Sequence, residues 1–173
     1  MKTEQVLDIL KVFAWIMFIG LCVKTGALIV SFAVSLFVNP AAAADLYMGT
    51  DLSEVLAFSK THYIVMAVLM IILSGSKAWL SFWVVKITGR LSLKEPFSES
   101  VAGLIQGMSI ISLQIGLLAL ATDAYAQWLD GRHVNFTVEG AGTDFLFLAG
   151  ILYVIAMIFR RGIELRRENE LTI

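Results

Sequence analysis

The sequence predicts an all-α integral membrane protein, a four-helix transmembrane bundle with both the N and C termini cytoplasmic. Three observations predict it. The chain of 173 residues is 58% apolar and only 16% charged, with a mean hydropathy of +0.82, well outside soluble usage. Four apolar runs are each long enough to cross roughly 30 Å of hydrocarbon. None alternates as barrel strands do, so these runs must satisfy their backbone polar groups as helices.

The expected spans are 10–37, 62–86, 101–125 and 145–160, in a single membrane domain of residues 1–173 with a charged cytoplasmic tail at 161–173. Lys2, Lys11, Lys86, Arg90, Lys94, Arg160, Arg161, Arg166 and Arg167 lie at the N-terminus, the second loop and the tail, whereas the other two loops hold only Lys60 and Arg132. The positive-inside rule therefore puts both termini on the cytoplasmic side of a bacterial inner membrane.

The first span contains the longest apolar stretch, "FIGLCVKTGALIVSF", with Lys24 near its centre. After it, "VNPAAAADL" resembles a signal-peptidase site, but the apolar run is too long for a signal h-region, so a retained span is expected. Cys22 lies inside that span and reads as a small packing residue. In the first outer loop, Asp51 followed by Glu54 looks like a capping box opening a short helix along the interface. Ser98 is the expected N-cap of the third span, with Glu99 in its first turn. In the last outer loop Asp130-Gly131 signals a turn, and Val134, Phe136 and Val138 alternate as in a strand.

Polar and small residues recur at helical spacing: Gly20, Lys24, Ser31 and Ser35, then Ser74, Lys77 and Ser81, then Gly103, Gly107 and Gln114, then Ala149, Tyr153 and Ala156. All four stripes are expected to face inward. Lys24, Lys77, Gln114 and Tyr153 would then form an intramembrane polar cluster able to bind a ligand or partner, with Gly103 and Gly107 allowing close helix packing. A charge at the depth of Lys24 costs about 3 kcal/mol. Water, deprotonation, an anionic ligand or an acid on another chain would resolve it, whereas Lys77 can extend its stem toward the interface.

The tail, "IFRRGIELRRENELTI", has opposite charges at Arg160 and Glu164 and at Arg166 and Glu170, as in a solvated helical extension. Together with "PFSESVAGLI" and the four-span layout, it resembles the bacterial membrane proteins grouped as domain-of-unknown-function family 2975. Gly162, Leu165, Leu171, Thr172 and Ile173 match that family's tail pattern, and Glu170 stands where Asp is usual. The resemblance implies no activity and no catalytic residue. It does imply a small helix-turn-helix regulator as a partner, because such genes often stand beside those of the family.

No enzymatic motif is present: there is no phosphate-binding loop, no dinucleotide fingerprint and no nucleophile with a base. His62 and His133 have no companions at metal-ligand spacing. No cofactor, metal, catalytic residue or direct nucleic-acid partner is expected. The expected function is that of a non-enzymatic inner-membrane protein, a regulatory, sensor or immunity-type module binding a protein or membrane peptide. Its docking surface would comprise Pro96, Phe97, Glu164, Leu165, Leu171, Thr172 and Ile173. The alternative is a small transporter or anion pore, a homo-oligomer in the lipid bilayer, using Lys24 and Lys77.

Overall fold

A computed structural model of the chain describes residues 3–90, 98–134 and 142–170. They form helices α1 (Thr3–Phe37), α2 (Ser53–Phe58), α3 (Lys60–Arg90), α4 (Glu99–Asp130) and α5 (Gly142–Glu170), with a 3-10 turn at Pro40–Ala44. Among the described residues there is no strand. The expected strand falls almost wholly outside them, and Val134 is a buried coil residue. The four long helices are each apolar and long enough to cross a membrane: Gln5–Phe37, Lys60–Arg90, Glu99–Asp130 and Gly142–Glu168. Each overruns its expected span, because charged residues end a hydropathy window sooner than they end a helix.

Local chemistry accounts for the boundaries. Asn39 is extended (φ −147°, ψ 110°) ahead of Pro40, and its side chain accepts from the Ala41 N–H at 3.0 Å. Proline disfavours a helical residue before it, so α1 stops there. The Ser98 side chain accepts from the Val101 N–H at 3.3 Å, and Glu99 occupies the first turn of α4, as expected. Asp51 instead accepts from the Ser53 N–H at 2.7 Å, one residue ahead of the cap position, and Leu52 makes no side-chain cap. The expected turn follows α4, although the left-handed residue in it is His133 (φ 65°) and not Gly131 (φ −60°).

The long helices are arranged around α3 and α4. Close backbone approaches join α1 to α3, α3 to α4 and α4 to α5, while α1 approaches neither α4 nor α5. The α1 seam follows a heptad: Ala14, Phe18, Thr25, Leu28, Phe32 and Ser35 face α3, with Phe18 against Phe82 and Phe32 against Tyr63. Period-seven packing of this kind gives shallow crossing angles. Leu73, Leu80, Met108, Ile115 and Ala119 fill the space among α3, α4 and α5, joined by Phe145 and Leu152 from α5.

One end of the bundle is capped. Ala43, Leu46, Leu52 and Val55 are 0–2% exposed against Tyr63, Met66, Leu129 and Val134. The connection between α1 and α3, which contains the expected short helix as α2, is therefore a folded lid whose apolar side is covered by the chain itself. At the opposite, terminal end, Arg90 donates to Ser100 at 2.8 Å and Arg167 lies 3.4 Å from Glu99.

Candidate functional site

Two lysines lie near mid-height. Pairing of Phe18 with Phe82 and of Thr25 with Ser74 sets the antiparallel register of α1 and α3, so Lys24 stands about level with residue 75. Lys77 is two residues further, about 3 Å along the axis, and about 20 Å from the Arg90 end of its helix. Both side chains are half-buried. Lys24 flanks the α1–α3 seam beside Thr25, whose hydroxyl lies 2.9 Å from that of Ser74. Lys77 turns the other way, toward α5, with its ammonium 5.5 Å from the centroid of the Phe145 ring. A cation over an aromatic face is stabilised by the ring quadrupole, by up to about 2 kcal/mol where water is excluded.

The rest of the expected cluster does not assemble. Gln114 is exposed, on an outward face with Ile110 and Leu117. Tyr153 is 54% exposed; the seam of α5 steps through Ala149, Leu152 and Ala156, and Leu152 takes the inward place expected for tyrosine. Gly103 has nothing within 4 Å of where a Cβ would lie, so it packs no helix. Gly107 does admit a close neighbour, the ring of Trp83, 2.3 Å from the position of such a Cβ. Gly20 is open as well. Polarity alone does not set the facing of these helices, which turn small, polar and large apolar residues outward alike.

The close helix contact is made elsewhere. On α4, Ala102, Ser109 and Gly116 recur every seven residues, as Gly142, Ala149 and Ala156 do on α5. The Ser109 hydroxyl donates to the Ala149 carbonyl at 2.9 Å, and a Cβ at Gly116 would lie 2.6 Å from Leu146 Cδ2 and 3.0 Å from its backbone nitrogen. Small residues that let two backbones meet are the usual basis of helix association in lipid. The period of seven was readable in the sequence. Ser112, on the same interface and fully buried, has no hydrogen-bond partner among the described residues.

At the capped end, His62 Nδ1 and the Tyr125 hydroxyl lie 2.6 Å apart, and His62 packs on Phe58 and Trp128, with Arg132 over the Trp128 ring at 3.8 Å. No spacing signal joins residues so distant in sequence; an aromatic belt at a membrane boundary is the only hint. Among the described residues no group of three His, Cys, Asp or Glu side chains could hold a metal.

Of the expected docking residues, Glu164 and Leu165 are exposed on the terminal extension of α5, and Glu164 accepts from Arg161 at 2.7 Å. Pro96, Phe97, Leu171, Thr172 and Ile173 lie outside the described residues. Arg160 pairs with Gln106 of α4, which ties α5 to its neighbour where the extension begins. No family model matches the chain, and no curated protein or solved structure matches it either.

Proposed function

We propose that the chain is a non-enzymatic module of the bacterial inner membrane, of a regulatory, sensor or immunity type, that binds a protein or membrane peptide through α1. The observation that carries this reading is the isolation of α1. Its most apolar window is 6% buried, against 33% for α3 and 50% for α4, and it approaches α3 alone among the long helices. That leaves Ile16, Val23 and Val30, each about 60% exposed, on the side away from the bundle. Lys24, half-buried at the edge of the same helix, adds a polar element that lets a partner be chosen by register as well as by shape. The extension of α5, with Glu164 and Leu165, is a second surface, suited to the small helix-turn-helix regulator that the tail resemblance implies.

Gentle purification of the tagged protein from its native membrane, followed by mass spectrometry, tests this. A stoichiometric protein should be retained, and its yield should fall in the Lys24→Met variant. Recovery of the chain with lipid alone would count against the reading.

The second reading, an oligomeric transporter or anion pore, draws on the similar height of Lys24 and Lys77. Against a path within one chain stands the core itself: Leu73, Leu80, Met108 and Ile115, all at most 8% exposed, fill the centre. A pore would have to form between copies, and lysine-dependent anion flux in vesicles is its test.

A further inference from the structure

We propose that α5 carries a binding site for an anionic phospholipid at its terminal end, with the headgroup phosphate held by Arg160 and Arg161 and an acyl chain laid along the apolar strip below them. Met157, Ile158, Arg160, Arg161 and Glu164 line an open groove of about 460 Å³. Met157 and Ile158 are 55% and 60% exposed, and both arginines follow within one helical turn on the same side. Arg160 is the first charge after the apolar stretch of α5, so the groove straddles the boundary between hydrocarbon and headgroups.

Two features select a lipid over a free anion. The exposed strip runs down one helix face through Phe147, Ile151, Val154 and Ile158 to Arg161, in steps of four, three, four and three. From Phe147 to Ile158 it spans about 16 Å, close to one leaflet of a hydrocarbon core about 30 Å thick. An acyl chain can therefore lie along it for its whole length while the phosphate stays at the arginines. Inorganic phosphate would leave that strip unused.

Charge selects the headgroup. Arg161 gives one contact to Glu164 at 2.7 Å and Arg160 gives one to Gln106; a guanidinium has five N–H donors, so each retains several for phosphate oxygens. The groove's lining carries two arginines against one glutamate, with Glu168 a further negative charge acting on Arg161, and this positive lining favours a phosphate without a compensating amine over a zwitterionic headgroup.

Native mass spectrometry of the full chain in detergent, with phosphatidylglycerol, phosphatidylcholine or inorganic phosphate added, reads the site directly. The expected result is a first phosphatidylglycerol adduct at least tenfold favoured over phosphatidylcholine, undisturbed by equal inorganic phosphate. The preference should be lost in R160Q/R161Q, kept in R160K/R161K, and kept in Arg132→Gln at the other end of the bundle. If the double variant does not survive extraction, Ile158→Glu serves instead, since it places a carboxylate in the acyl strip. Equal binding of the two lipids, or a preference that survives loss of both arginines, overturns the proposal. Displacement of the lipid by phosphate alone would also overturn it, in favour of a free-anion site.

Discussion

The ammonium group of Lys77 lies 5.5 Å from the centroid of the Phe145 ring, so the charge at mid-height in α3 is presented to α5. Phe145→Leu should cost up to about 2 kcal/mol beyond its loss of packing. That coupling should vanish in the Lys77→Met background. A double-mutant cycle by denaturant titration in detergent measures the coupling; additive effects would mean that the ring and the ammonium do not interact.

Glycine position, not glycine content, decides packing on α4. Gly116→Val places a branched side chain where Leu146 and its backbone nitrogen already stand, and overpacking of this kind costs about 1–3 kcal/mol. Gly103→Ala meets nothing within 4 Å and should be neutral or stabilising by up to about 1 kcal/mol through helix propensity. Thermal melts of the two variants should move in opposite directions or differ by several degrees.

Ser112 is a buried hydroxyl with no hydrogen-bond partner among the described residues. Removing a polar group that makes no bond recovers its desolvation cost, so Ser112→Ala should raise stability by about 1 kcal/mol. Ser109→Ala, which loses the bond to Ala149, should lower it by about 0.6 kcal/mol, the average for such bonds in lipid. A destabilised Ser112→Ala would point to a water or ligand held at that position.

Asp51 is the group expected to couple the lid to acid. Its carboxyl is held below the usual carboxylate value of 3.8, first by the Ser53 side chain and then by the Ser53 backbone N–H. A depressed folded value means that the contribution is present above the unfolded value and is lost as pH falls through the folded one. Amide exchange at Ser53 and Glu54 should therefore accelerate below about pH 4 relative to the rest of the lid. Asp51→Asn should remove most of that dependence; an unchanged pH profile in the variant would show that the carboxylate is not the sensor.

The helices were legible because hydropathy and helix termini report chemistry local to the chain: Ser98 at the start of α4 and Pro40 after α1 lie where their capping and steric roles require. The facing of the helices was less legible: the seam of Ala102, Ser109 and Gly116 against Gly142, Ala149 and Ala156 repeats every seven residues, but so do Gly107 and Gln114, and Gln114 is exposed. Gln114 and Tyr153 lie on exposed faces of α4 and α5, away from the seam, because the spacing of polar residues along one helix does not reveal which face its neighbour covers. The pairing of His62 with Tyr125 had no local signal, since it depends on how α3 and α4 register along their whole length.

Site-specific photo-crosslinking in native membranes shows directly whether α1 is the face that receives a partner. A photoreactive residue at Ile16, Val23 or Val30 on α1, compared with Ile110 or Leu117 on the outward face of α4, reports what lies against each surface. The account predicts one discrete protein adduct from the α1 positions, weakened by Lys24→Met, and lipid adducts alone from α4. Lipid adducts alone from both faces, or the same protein from both, would contradict it.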